Sequence, residues 1–272
     1  MLNKINNTDA QYISAITDIY YNGKQHNDRT GVGTRRVFGR MYKFDLEKEF
    51  PMISCKKAAF KNTIAELLWF FSGSTNVDDL AAICKSVEPW WRPFANEQGD
   101  LGPMYGRQLR NYNGQGVDQV KHVVYQLKEE INSRRILMTT YNPIEAPLGA
   151  LYPCHGLLTQ FLIDGDNRLH MSTVQRSADV GLGLPHNWIS YATMQIMFAQ
   201  ICKLIPGELT YFVNDLHIYN NHLEKLMSME QASYSNPKVE IDRVINIDDY
   251  TLDNFRLYDY NSGPLIKLEM AV

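Results

Sequence analysis

Three short segments hold the residues whose types and spacing could do chemistry. The first is Leu151-Tyr152-Pro153-Cys154-His155, a thiol beside an imidazole, placed after a run of Pro and Gly and ahead of an apolar run. The second is Gln175-Arg176-Ser177-Ala178-Asp179 and the third Gly183-Leu184-Pro185-His186-Asn187. The thiolate is the reactive form of cysteine, and a nearby cationic side chain favours it. Cys154, Arg176, Asp179 and Asn187 therefore read together as a nucleophile, an anion clamp, a carboxylate and an amide able to read a base edge. A lone cysteine is more often a small buried hydrophobe, so the weight rests on the set.

The rest of the chain bounds what those residues can serve. The 272 residues are 44% hydrophobic and 21% charged, enough for a sizeable core. A net charge of −3 gives no basic face for a nucleic acid backbone. A small anion held by a few local arginines stays possible. Cys55, Cys84, Cys154 and Cys202 form no CxxC pair, which argues against structural zinc or a disulfide framework and fits a reducing compartment. His217 and His222 lack zinc-site spacing, so no metal is expected. The first ten residues are polar and no apolar run approaches a membrane span, so the expectation is a cytoplasmic protein with no membrane or nucleic-acid partner.

Periodicity then supplies the elements that must position the chemistry. Helices are expected over 9–21 (capped by Thr8 or Asp9), 62–71, 77–86 (capped within Ser74-Thr75-Asn76), 117–131 and 186–204, the last ended by Pro206-Gly207. Strands are expected within 36–46 and over 136–140, 156–163, 168–174, 208–213, 239–241 and 255–257. Asp164-Gly165-Asp166-Asn167 reads as a hairpin turn. Glu66 sits inside an apolar helix, where a carboxylate is costly unless paired, so it is either at a polar edge or functional. The aromatic, Gly- and Pro-rich stretch 88–110 reads as an irregular segment, either lining a pocket or forming a core lid. The loop Asp28-Arg29-Thr30-Gly31 is either an anion cradle or a connector, and Arg134-Arg135 either a phosphate clamp or a solvated pair at a helix end. With no repeat or linker, one mixed α+β domain over 1–272 is expected, a large twisted sheet with several long helices.

Taken in order, the motifs resemble one family over nearly the whole chain: the thymidylate synthases and their pyrimidine nucleotide hydroxymethylase relatives. They are Asp28-Arg29-Thr30-Gly31, Ala65-Glu66-Leu67-Leu68-Trp69-Phe70, Gly99-Asp100-Leu101-Gly102-Pro103, Ser133-Arg134-Arg135, Pro153-Cys154-His155, Gln175-Arg176-Ser177, Gly183-Leu184-Pro185, Asp215 with His217 and Tyr219, and Met270-Ala271-Val272. No single one is decisive; the ordered set is specific. The resemblance implies attack of Cys154 on C6 of dUMP, with 5,10-methylenetetrahydrofolate as one-carbon donor. It implies that Arg29, Arg176 and Ser177 hold the phosphate, and that Asn187 reads the uracil edge. Asp179, His217 and Tyr219 are implied to bind base and ribose, with His155 and Gln175 beside them. Glu66 and Tyr105 are implied to move protons. Trp90, Trp91, Asp179, Gly183 and the Val272 carboxylate are implied to meet the folate. It also implies a homodimer that uses a sheet face, with Arg134 and Arg135 reaching into the partner's site.

Departures from the pattern concern the end of the reaction. His186 stands where synthases carry Phe, Trp90 where they carry an aliphatic residue, Tyr152 where they carry a small residue or Pro, and Leu109, Tyr141 and Val174 replace usual aromatic residues. Both family reactions reach an exocyclic methylene on C5, quenched by hydride in a synthase and by water in a hydroxymethylase. A histidine beside Asn187 could position or deprotonate water, although Trp91 keeps the synthase pattern. The sequence thus tips toward a deoxyuridylate hydroxymethylase, which would suit a phage with modified DNA acting in host cytoplasm, with thymidylate synthase as the alternative. A dCMP hydroxymethylase and an inactive nucleotide-binding homologue are disfavoured by Asn187 and by the intact set Glu66, Tyr105, Cys154 and Asn187.

Overall fold

Residues 60–72 carry apolar side chains on nearly every face, so as a helix they must be covered on most sides. In the computed structural model, which describes residues 5–270, they form α2 (Phe60–Ser72), with Ile64, Leu67, Leu68, Trp69 and Phe70 buried, and Gly73 closing it at φ 81°. The same logic holds for the longest helix, Gly183–Cys202, which is buried around its circumference and packs on both α2 and the sheet.

The sheet has six strands. Numbering elements in chain order, these are β1 (Lys24–His26), β2 (Thr34–Asp45), β3 (Leu137–Met138), β4 (Thr159–Ile163), β5 (Arg168–Asp179) and β6 (Ile205–Tyr219), in the spatial order β1-β2-β6-β5-β4-β3. Only the β5–β6 pair is parallel. The Gly183–Cys202 helix, α7, makes that crossover. Side-chain alternation divides the faces. Tyr42, Phe44, Phe161, Met171, Leu209 and Tyr211 are buried on the helix side. Met41 lies opposite Phe212 on the other side, and both are exposed, as is Leu162. That sheet face is therefore uncovered, and it mixes these apolar side chains with polar ones such as the Lys43–Glu208 ion pair. A separate two-stranded sheet pairs β7 (Lys238–Ile241) with β8 (Phe255–Tyr258).

Mixed α+β architecture is as expected, and several boundaries are corrected. Pro206 and Gly207 do not stop α7. Lys203 does, in the left-handed conformation at φ 58°, and Pro206-Gly207 lies inside β6. A Cβ at Gly207 would sit 2.9 Å from the Leu169 carbonyl oxygen, which explains a glycine in that strand. β5 continues to Asp179 and β6 to Tyr219, well beyond 168–174 and 208–213. Polar residues hid these ends, yet Ser177 pairs with Asp215 and Asp179 with His217 in register. The helix α1 (Asn7–Asn22) is capped by Asn6, not Thr8 or Asp9. α3 (Val77–Ile83), capped by Asn76, ends before 86 because Cys84 adopts an extended backbone. Stretch 88–110 is less irregular than expected, with α4 (Glu88–Trp91), a 3₁₀ turn and α5 (Gly106–Arg110). α6 (Gln119–Glu129) and α8 (Asn220–Met227) complete the helices.

Candidate active site

Cys154 lies in the extended chain ahead of β4, held against β5 where the Arg176 N–H donates to its carbonyl at 2.7 Å. Its thiol faces Tyr105: hydroxyl and Sγ are 3.3 Å apart, and the Cys154 N–H donates to the same hydroxyl at 2.9 Å. Tyr105 is at φ 33°, a rare conformation for a residue with a side chain, at the start of α5. The following glycine explains how it is held. A Cβ at Gly106 would come within 2.9 Å of the Phe70 and Ser74 carbonyl oxygens. α5 thus presses against the end of α2 and aims Tyr105 at the thiol. Burial pushes the Cys154 thiol up, while the Tyr105 hydroxyl and the Arg176 charge pull it down without reversing the direction.

Behind the thiol the wall is aromatic. His155 stacks on Tyr105 at 4.5 Å between ring centroids, and its Nδ1 is 3.0 Å from the Tyr191 hydroxyl. Burial drives its pKa down to about 3, so the ring is neutral at working pH. On α2, Glu66 is 8% exposed and accepts from Trp91 Nε1 at 2.5 Å. Burial raises its carboxyl to about 7, against the opposing Trp91 hydrogen bond. A carboxyl balanced near neutrality can both accept and release a proton. Trp91 packs edge-on against Phe70 and Tyr105, joining Glu66 to the cysteine wall. Trp90 faces His186, their rings 5.1 Å apart. His186 Nε2 accepts from the Ala59 N–H at 3.3 Å. Burial, helped by the Lys56 charge, lowers its pKa to about 4, while the Leu182 carbonyl works in the other direction. His186 is thus neutral, with Nε2 engaged by backbone.

The parallel β5–β6 pair brings the polar residues to one end of the sheet. Ser177 Oγ is 3.2 Å from Asp215 Oδ2 and 3.4 Å from His217 Nδ1, and His217 meets Tyr219 edge-on. Asp179 closes β5, its Oδ1 accepting from Gly181 N at 2.8 Å. Burial raises its carboxyl, and His217 and His222 pull it back. Asn187 is 8% exposed near the start of α7, beyond Gly183, and its amide has no side-chain hydrogen bond among the described residues. Arg176 is exposed, its guanidinium reaching the Pro153 and Tyr152 carbonyls at 3.3 and 3.2 Å. Arg29 is also exposed, on a loop tied by Asp28, which accepts from Gly33 N at 2.7 Å and Thr30 Oγ1 at 2.6 Å.

Two predicted site residues point inward. Gln175 is 1% exposed, donating to Ser177 O and accepting from the Tyr211 hydroxyl, so its amide braces β5 and β6. His155 likewise forms the wall. Arg134 and Arg135 are exposed ahead of β3 and form no ion pair among the described residues. Val272 lies outside the described residues. Sequence reasoning passed over Tyr191, hidden in the apolar pattern of α7, and Lys56, which is 5% exposed and donates to Gly181 O at 3.0 Å. A lysine next to a buried run was the available signal for the latter. Burial lowers Lys56 to about 8. A cleft of about 690 Å³ lies elsewhere, lined by Lys61, Arg110 and Tyr250, and none of the predicted site residues lines it. Among the described residues no cluster could hold a metal, and no helix is long and apolar enough to cross a membrane.

Comparison with known proteins agrees with this geometry. The family model described as thymidylate synthase matches residues 10–272. The chain belongs to the thymidylate synthase family. It is 40% identical to the thymidylate synthase of Francisella tularensis subsp. holarctica, over 96% of this chain and 99% of that protein. It is 39% identical to the Homo sapiens thymidylate synthase, over 97% of this chain and 91% of that one. Family membership makes this a one-carbon transferase of nucleotide biosynthesis.

Proposed function

We propose that this chain is a thymidylate synthase, converting dUMP to dTMP through a covalent Cys154–C6 adduct. The observation that carries the reading is the Cys154 thiol held by Tyr105 in front of the Glu66–Trp91 pair. Loss of the thiol proton lets Sγ add to C6, and the electron pair moves onto C5 and the O4 carbonyl. Asn187, with a free amide, donates to O4 and accepts from N3–H, which suits uracil. Arg29, Arg176 and Ser177 hold the phosphate, while His217 and Tyr219 take the ribose hydroxyl. Asp179 stands beside base and folate. Glu66, near neutrality, exchanges protons with the base through water, and the C5 proton leaves to a water held by the Tyr105 hydroxyl. β-Elimination returns the thiol.

The folate must fit the surfaces present. Trp90 faces His186, Trp91 holds Glu66, and Glu66 keeps an oxygen without a donor among the described residues. That combination suits a flat heterocycle with hydrogen-bond donors. When bound, 5,10-methylenetetrahydrofolate supplies the one-carbon unit and then hydride. The Val272 carboxylate is proposed to close over it. Arg134 and Arg135 are proposed to reach a partner subunit's phosphate site across the uncovered sheet face carrying Met41, Leu162 and Phe212.

Water addition, giving 5-hydroxymethyl-dUMP, is the second reading. The exchange of Phe and an aliphatic residue for His186 and Trp90 favours it. Against it, a base for water needs a pKa near working pH, and burial lowers His186 to about 4. The deciding experiment incubates enzyme with dUMP and methylenetetrahydrofolate. Dihydrofolate absorbance rising in step with dTMP is expected. A 5-hydroxymethyl product without dihydrofolate would overturn the synthase reading, and no product from either route would sink the catalytic reading.

A further inference from the structure

The final described stretch, 259–270, has no helix or strand, yet it is tied down along its length. The Gly263 N–H donates to Ser54 O at 2.8 Å, and Lys225 Nζ donates to Lys267 O at 3.2 Å. Next to its end, His222 of α8 makes a 2.8 Å hydrogen bond from Nε2 to Glu269 O. A carbonyl only accepts, so Nε2 carries the proton. His222 is 0% exposed, and its Nδ1 is buried without a hydrogen-bond partner among the described residues. Gly181 lies against that nitrogen. A Cβ there would be 3.2 Å from His222 Nδ1, 3.2 Å from Asp179 Oδ1 and 2.9 Å from Leu268 Cδ1. Helix, tail and the loop after β5 therefore converge on one glycine that close approach keeps bare. The loop itself is braced: Lys56 donates to Gly181 O, and the Tyr12 hydroxyl donates to Val180 O at 2.9 Å.

We propose that His222 is a positioning residue that fixes residues 267–269 of the C-terminal tail to the Asp179 loop and, through that junction, sets the affinity of the site for its folate co-substrate. This rests on the function proposed above. Lys225 is exposed and its bond to the tail is in water. His222 is the buried side chain that touches both tail and loop among the described residues. The buried, unpaired Nδ1 carries a desolvation cost that packing alone does not explain. Nothing in α8 contacts the reacting atoms, so the effect passes through the tail.

His222→Leu removes the donor, and His222→Asn keeps an amide able to donate to Glu269 O. Without ligands, trypsin is expected to cut after the exposed Lys267 several-fold faster in His222→Leu, with partial rescue in His222→Asn. KM for methylenetetrahydrofolate should rise roughly five- to tenfold, as for one lost buried hydrogen bond. The dissociation constant of dUMP alone, by calorimetry, should stay within about twofold. In a chain truncated after Lys267, His222→Leu should add nothing further. Unchanged tryptic cleavage, or an undiminished His222 effect in the truncated chain, overturns the proposal. If His222→Leu does not fold, Gly181→Ala, which pushes on Leu268, tests the same junction by the same cleavage. Wild-type enzyme inactive on dUMP would instead sink the functional reading and leave the cleavage result to judge the anchor.

Discussion

Behind Cys154, the polar groups pair within the chain: Tyr105 with the thiol, His155 with Tyr191, Glu66 with Trp91. In front of it, Arg29, Arg134 and Arg135 are exposed and without ion pairs among the described residues, and Arg176 holds only carbonyls. The wall is finished before any ligand arrives. Desolvation has already shifted its proton affinities, raising Glu66 and lowering His155. In the proposed function, the rim waits for a phosphate and a second chain to complete it. The wall should therefore govern kcat, and the rim the affinity for nucleotide.

The largest effect sharpens the wall. Cys154→Ala should lower turnover by at least about 10⁴-fold, since no other group can form the adduct. Calorimetric binding of dUMP should change little, because the rim is intact. Turnover within tenfold of the parent would break the covalent mechanism.

Glu66→Gln comes next, with kcat falling by about 10²–10³-fold, the usual scale for a proton-transfer group. The same change tests the desolvation argument. The folded carboxyl titrates near 7 and the unfolded one near its ordinary value of 4.5. Between these the unfolded chain releases a proton that the folded chain keeps, so Glu66 lowers stability as pH rises through 7. Urea unfolding at pH 8 should find Glu66→Gln more stable than the parent by roughly 1–3 kcal/mol, with the gain gone near pH 4. An equal gain at both pH values would show that burial is not the cause.

For the rim, Arg134→Ala should raise KM for dUMP about 10- to 100-fold with a smaller change in kcat, the scale of a lost charge-assisted hydrogen bond. If the arginine serves the partner's site, inactive Cys154→Ala and weakened Arg134→Ala chains should complement when mixed and reassociated. A mixed dimer then holds one site with both groups intact. No recovery after verified exchange would place Arg134 in its own subunit's site or outside any site.

The wall and the rim were also unequally legible. The rim arginines at least carried a local alternative, since each could be read as an anion or phosphate clamp as well as a connector or a solvated pair. The wall was readable only as motif order: nothing local to Gly102-Pro103-Met104-Tyr105 says that Tyr105 takes φ 33° or meets a thiol far along the chain. Sheet ends failed for a related reason. Ser177, Asp215 and His217 break hydrophobic alternation, yet they pair in register because their side chains line an open site instead of the core. Gln175 was misplaced in the other direction, a polar residue with both amide atoms bonded inside the core. Tertiary pairing, absent from local pattern, decides each case.

The smallest effect falls where wall and rim meet. His186→Phe should change kcat by less than about threefold and leave one dihydrofolate per dTMP, because a ring whose pKa burial holds down to about 4 is a weak base for water. Its folded pKa of about 4 lies below the ordinary 6.5, so it favours the folded state above that value and loses the contribution as pH falls through 4. The kcat/KM profile between pH 6 and 9 should therefore keep its shape in the variant, while acid unfolding moves to lower pH. Loss of the acceptor for Ala59 N–H should cost about 1 kcal/mol near neutrality. A product that shifted from 5-hydroxymethyl-dUMP to dTMP on this substitution would reverse the assignment. It would make His186 part of the reacting wall and its present hydrogen bonds a resting arrangement.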